Sequence, residues 1–411
     1  MAATARRQTQ QQKQLAPESP SRTPQPKPPP SSTSSVVRFL LVTTAVVLLL
    51  ASYVALSSSP HSSTSPIART STASTSSTSS TTDNTSPTST MALSLPKQRA
   101  VAAVLGGLVG DAATMGLHWI YDAEKLAALV AQRPGGAAEF FEPPSCEYYS
   151  YASGALSPYG DEVVPLLQHV AAHGALDPVA FGTESYLAAK AYTGRLNHIF
   201  KELVVKGDAG LQYPELASPS VDSQGAAKAT VLVARYLDAD TSVLLAKVRE
   251  GTKVHQIGQE AEDGAVATAL LLKRVVLGAS VADAVAAVAV DPLVSEAARR
   301  DVQQVLDDVR AQTYADAVAA IAEYGKSCAL PGVLKGALFV LLTAPGGYAG
   351  AVRANLAAGG DNCSRAIIIG AVAAAAAQTD SAALADAVPA EWQRKTTRFD
   401  ELRALAEKLV Q

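Results

Sequence analysis

The sequence predicts an all-α protein, with one compact helical domain following a non-globular leader. Three observations carry that expectation. From about residue 96 onward Ala, Val and Leu dominate, and alternating β-branched runs, the mark of half-buried strands, are scarce. Apolar residues recur at i, i+3, i+4 and i+7, as Val101, Val104, Leu105 and Leu108 do, which places them on one helical face. There is no strand–helix alternation of the kind that builds a parallel sheet, and no repeat of fixed period.

Taken in order, residues 1–35 are basic and rich in Gln, Pro and Ser, a composition that cannot bury a core and is expected to be disordered. Residues 36–56 form a hydrophobic transmembrane or signal-anchor candidate. Its central run, 39–56, holds 18 uncharged residues, enough to cross ~30 Å at ~1.5 Å per residue. Arg38 on the basic side leaves the N-terminus in the cytosol by the positive-inside rule. Residues 57–95 read as a Ser/Thr-rich disordered linker. The expected location is the membrane, through a single-pass anchor. The alternatives are an organellar (plastid or mitochondrial) transit peptide, or a soluble protein if translation starts at Met91.

Within 96–411, helices are expected over 97–108, 123–132, 161–173, 185–191, 196–205, 224–238, 242–250, 260–276, 281–288, 294–311, 314–324, 332–343, 348–358, 361–378 and 400–410. Gly110-Asp111 reads as the end of the first. Pro143, Pro144 and Pro158 bracket an irregular, aromatic-rich insertion at 140–159. Asp161 and Glu162 open a helix where the macrodipole favours acids. Val254-His255-Gln256 stands before another helix. Gly359-Gly360-Asp361 reads as a tight turn delivering an N-capped helix, with Asp361 and Ser364 on one side of its first turn. Behind them Ala366, Gly370 and Ala374 form a small-residue stripe that admits a neighbouring helix backbone.

Composition and motifs exclude several functions. A formal charge of -3 and a pI near 6.1 give no sign of nucleic-acid binding. Cys146, Cys328 and Cys363 lack metal-binding or redox spacing. Gly325-Lys326-Ser327 imitates the end of a P-loop, but Ala320 stands where its first glycine belongs. Gly106-Gly107-Leu108-Val109-Gly110 follows no strand and is not a dinucleotide fingerprint, and no G-x-S-x-G elbow exists. His169, His173 and His198 read as exposed or hydrogen-bonded helix residues. What remains is a set of acids and histidines at helix ends: Asp111, His118, Asp161, Glu162, His255 and Asp361. A polar site between helix ends follows from them. The bland alternative at Asp361 is a simple N-cap assisted by Ser364.

These residues carry a resemblance. Gly110-Asp111-Ala112, Tyr159-Gly160-Asp161-Glu162, Val254-His255 and Gly359-Gly360-Asp361-Asn362-Cys363-Ser364 resemble, in order and spacing, the motifs of the ADP-ribosylglycohydrolase family. Leu117-His118-Trp119-Ile120-Tyr121-Asp122 and the Asp-Asn-Cys-Ser ending are closer to the branch that includes the J-class crystallins. The resemblance implies an all-α fold and hydrolysis of an ADP-ribosyl N- or O-glycosidic bond with Mg2+. It also implies a partner that is ADP-ribose or an ADP-ribosylated substrate. It places Asp161, Glu162, Asp361 and Ser364 as metal ligands and His118 and Asp111 as acid/base candidates.

The departures are Gly160 for a Thr, His118 where many members have Glu, and Cys363 for an Asp. A thiol is a poor ligand for a hard cation, so one ion is expected in preference to two. The alternative is a catalytically degenerate, crystallin-like protein that binds a nucleotide-sugar or acts structurally.

Overall fold

The computed structural model describes residues 93–379 and 387–411, so the expectations for 1–35, for the 36–56 hydrophobic segment and for nearly all of 57–95 lie outside the described residues. The described part is predominantly helical. In chain order the helices are α1 (Leu95–Thr114), α2 (Ala123–Ala131), α3 (Pro158–His173), α4 (Pro178–Ala191), α5 (His198–Asp208), α6 (Gln224–Arg235), α7 (Thr241–Lys253), α8 (Gln259–Val276) and α9 (Val281–Val290). They continue with α10 (Glu296–Ala311), α11 (Ala317–Tyr324), α12 (Gly332–Thr343), α13 (Gly347–Ala358), α14 (Asn362–Ala377), α15 (Ala390–Lys395) and α16 (Phe399–Leu409). Two short strands, β1 (Ser218–Pro219) and β2 (Gln256–Ile257), pair in parallel and pin the loop before α6 to the end of α7.

The centre is the crossing of α1 and α14. Gly106 and Gly107 meet Gly370 so closely that a Cβ on Gly370 would lie 2.2 Å from the Gly106 carbonyl oxygen. The small-residue stripe is therefore occupied by α1. This is also why α1 does not end at residue 108: its glycines are interior contacts, and the helix continues past Asp111 to Thr114. The stretch Leu95–Leu117 is long and apolar enough to span a membrane, yet from Ala100 to Thr114 its helix is buried and serves as the core helix of this domain. Helices α6 and α8 pack beside the central pair, and α16 closes over α1 and α3.

Helix α4 begins at Pro178, seven residues ahead of the expected start. Asp177 accepts hydrogen bonds from the Val179 and Ala180 N–H groups, and Pro178 takes the first helical position, where no N–H is needed.

Candidate functional site between helix N-termini

The N-terminus of α14 is fixed by its neighbours before any side chain acts. Gly360 has φ +66° and donates its N–H to the Ile120 oxygen (2.7 Å), while the Trp119 N–H donates to the Gly360 oxygen (2.9 Å). A Cβ on Gly360 would sit 2.5 Å from the Lys326 oxygen, so a side chain here is strained and crowded at once. Asp361 follows as the N-cap, its Oδ1 accepting from the Ser364 N–H at 3.2 Å. The same oxygen lies 2.9 Å from His118 Nε2, and His118 Nδ1 lies 2.6 Å from the Tyr149 hydroxyl. A neutral imidazole that donates from Nε2 and accepts at Nδ1 satisfies both bonds. Burial lowers the His118 pKa, against the pull of Asp361.

Burial pushes Asp361 the other way. The His118 hydrogen bond, with Tyr159 and Arg365, outweighs it and holds the carboxyl below its ordinary pKa. Tyr159 contributes through proximity, since no hydrogen bond of normal geometry reaches Oδ2. That oxygen is buried without a partner. Arg365, fully buried, donates from Nε to Asn355 Oδ1 (2.8 Å) and from Nη2 to the Gly359 oxygen. Burial lowers its pKa to about 10, against Asp361.

Helix α3 is anchored by Asp111. Its Oδ2 accepts from the Ser157 N–H (2.7 Å) and its Oδ1 from the Ser157 hydroxyl (2.6 Å), and Ser157 caps α3. Gly160 has to be small, because a Cβ there would lie 2.3 Å from Asp111 Oδ2. Asp161, half-buried, accepts from the Tyr192 hydroxyl at 2.6 Å; burial raises its pKa against that bond. Glu162 is buried, with Oε1 bonded to Asn197 Nδ2 and Oε2 unpartnered. Burial raises it well above its usual pKa; Lys228 opposes the rise, and Asp222, Asp161 and Asp361 add to it.

Lys228 is itself buried, 2.6 Å from His255 Nδ1, and burial drives its pKa down to about 7 against Glu162. Asp222, Lys228, Arg365 and Asn197 were not legible as site residues from motifs. The only available hint was Asp222-Ser223 standing directly before the helix at 224. Cys363 lies beneath the site, fully buried, with its sulfur 3.3 Å from the Thr114 hydroxyl. Ser364 turns its hydroxyl back to the Asp361 oxygen at 3.4 Å.

Burial pushes the Asp111 pKa up to about 8; the Ser157 bonds oppose this, and Asp161 and Asp361 add to it. The folded state therefore binds more protons than the unfolded chain between the unfolded value near 3.8 and about 8. The Asp111 contribution to stability thus falls as pH rises through that window. Asp111→Asn cannot titrate. Its denaturation midpoint at pH 8, relative to pH 5, is expected to drop less than that of wild type, and equal drops would show that Asp111 is not the group responsible.

A second cluster lies apart from these acids. His169, His173 and Glu184 place ligand-type atoms within 4.8 Å of one another, a spacing compatible with a metal ion. The hydrogen bonds argue for another role. The Asp177 N–H donates to His169 Nε2 at 3.2 Å, so the His169 proton sits on Nδ1 and is given to Glu184 Oε2 at 2.9 Å. A metal on Nδ1 would leave the other nitrogen facing a donor, the reverse of the usual outer-shell arrangement.

A helical domain whose helix N-termini deliver several acids to one polar site defines the class. The chain belongs to the ADP-ribosylglycohydrolase family, whose profile matches residues 93–411. It is 28% identical to crystallin J1A of Tripedalia cystophora over 350 residues, covering 78% of this chain and 98% of the crystallin. It is likewise 28% identical to crystallin J1B of the same organism, covering 76% and 97%. A solved ADP-ribosylglycohydrolase-related protein complex shares the fold, with TM-score 0.53 and 17% identity, covering 77% of this chain and 99% of that one.

Proposed function

We propose that this protein binds an ADP-ribosyl group and hydrolyses its glycosidic bond with one magnesium ion. The observation that supports this best is the pair of buried carboxylate oxygens without partners, Asp361 Oδ2 and Glu162 Oε2. Uncompensated buried acceptors are costly, and an ion is one of the few things that satisfies them. The donor set of Asp161, Glu162, Asp361 and Ser364 is all oxygen, which suits a hard cation. A bound ion would supply Lewis-acid polarisation and orientation of the sugar diol.

The side chains supply the rest. His118 engages Asp361 Oδ1 and so leaves Oδ2 free, and Tyr192 does the same for one oxygen of Asp161. The carboxylates stabilise the positive charge of an oxocarbenium-like transition state. In this reading His118 and Asp111 act as positioning residues, because their polar atoms are spent on Asp361, Tyr149 and Ser157.

A second reading, a degenerate nucleotide-sugar binder or structural protein, is favoured by Cys363, whose buried thiol offers no oxygen. Calorimetric titration with magnesium and then ADP-ribose, followed by an ADP-ribosyl release assay, separates the two. One ion, bound ADP-ribose and turnover support the hydrolase; binding without turnover supports a nucleotide-sugar binder; no binding of either overturns both of these and leaves the structural role.

Cys363→Asp adds a fully buried acid beside Asp111, so its metal-free melting temperature is expected to fall. Magnesium should then raise that temperature more than it does in wild type. Equal magnesium responses would place residue 363 outside the ion's reach. For location, the proposal rests on the uncharged run 39–56 as an anchor, and alkaline extraction of membranes carrying the full chain tests it.

A further inference from the structure

We infer that Arg195 is an anion seat that makes this cleft select a phosphorylated ribosyl ligand over the free sugar. The inference rests on the reading that a ribosyl group sits against the carboxylates. Arg195 lies on the turn between α4 and α5. The turn is pinned by its own N–H donating to the Tyr151 hydroxyl at 2.8 Å. Its guanidinium carbon lies 5.0 Å from the Trp119 ring centroid and 5.2 Å from that of Tyr148, and the two rings stand at 90° to each other. Aromatic faces therefore hold the fork, and no acid does.

The guanidinium makes no hydrogen bond or ion pair with the described residues, and its Nε is buried without a partner. Other arginines are paired: Arg353 with Glu139, Arg274 with Asp291, Arg249 with Glu262 and Arg398 with Glu401. A partly buried cation with its donors unspent is unfavourable until an anion arrives. The nearby acids do not fill that role. Asp161 and Glu162 line the same cleft as Arg195, but Tyr192 and Asn197 engage them.

This arrangement gives the cleft a polarity. An anion is repelled by the carboxylate end and drawn to Arg195, while sugar hydroxyls suit the carboxylates. A planar fork fixed by two rings matches phosphate oxygens two at a time, with little ordering left to do on binding. Trp119 ties the seat to the rest of the site: it stacks on His118 at 4.2 Å and holds a left-handed backbone at φ 60°.

The test is calorimetry on the full chain with magnesium present, using ribose, ribose 5-phosphate and ADP-ribose as ligands. Wild type is expected to prefer ribose 5-phosphate to ribose by about tenfold or more, the worth of a charge-assisted bond. Arg195→Gln should erase the preference while leaving ribose affinity unchanged, and Arg195→Lys should restore part of it. A preference that survives in Arg195→Gln overturns the inference. Should Arg195→Gln melt early, Arg195→Lys still decides, because a seat that needs the planar fork loses affinity even to a conserved charge. Titration with pyrophosphate alone separates this inference from the reading beneath it. If wild type binds no ribose but binds pyrophosphate through Arg195, the ribosyl reading fails and the anion seat stands. If ribose binds and pyrophosphate binding ignores Arg195, the seat alone fails. Tighter binding of ADP-ribose than of ribose 5-phosphate assigns the seat to a diphosphate, and equal binding to a monophosphate.

Discussion

Asp361→Ala is expected to abolish the proposed divalent-cation binding while the helical domain stays folded. The carboxylate is fully buried at the tip of α14, its Oδ2 has no protein partner, and its pKa is held low, so it is the group readiest to meet a cation. Removing it costs the cap, about 1 kcal/mol, and leaves His118 Nε2 without its acceptor, about 1–3 kcal/mol more. Native stabilities of about 5–15 kcal/mol absorb that loss in part, so circular dichroism should still report the helical spectrum at 25 °C. Asp361→Asn sharpens the experiment, because an amide oxygen can keep the cap and the His118 bond while the charge is lost. Magnesium heat should vanish in the Ala variant and weaken at least tenfold in the Asn variant. Equal magnesium binding by wild type and both variants would reduce Asp361 to a helix cap, the bland alternative.

What the sequence showed about this site depended on whether the signal was local. The cap of α14 was legible because Gly-Gly-Asp and the Asp361–Ser364 spacing are properties of a few adjacent residues. The small-residue stripe was legible for the same reason, as a helical period of four. The end of α1 was not. Gly110-Asp111 reads as its end, yet Gly110 is interior because α14 lies against it, and that partner is about 260 residues away.

The start of α4 was missed although Asp177-Pro178 is a local cap signal. Lys228 and Arg365 were invisible for another reason. Charged residues in a helical pattern ordinarily extend to water, and only the fold shows that both are buried. Asp111 stood out by its motif, but its burial and its bonds to Ser157 are tertiary facts.

Arg365→Ala is expected to cost more stability than any other substitution at the site. The side chain is fully buried and joins Asn355 Oδ1 at 2.8 Å to the Gly359 oxygen, so it clamps α13 to the turn that presents Asp361. Truncation leaves two acceptors without a donor and opens a cavity the length of an arginine. Breaking a buried charged network in this way costs ~3–5 kcal/mol. For a domain of this size that is a fall in melting temperature of roughly 10 °C. Arg365→Met separates the two causes, since it refills much of the volume but restores no hydrogen bond. If the bonds dominate, Met should recover less than half of the loss. Asn355→Ala should couple to Arg365→Ala, with the double variant losing less than the sum, because the two side chains share one bond. Asn355 also donates to the Asn362 oxygen at 2.7 Å, so its single variant carries a cost of its own, and the cycle has to be read against that baseline. Additive losses, or a melting temperature within about 2 °C of wild type for Arg365→Ala, would mean that the α13–α14 turn is held by backbone and glycine packing alone.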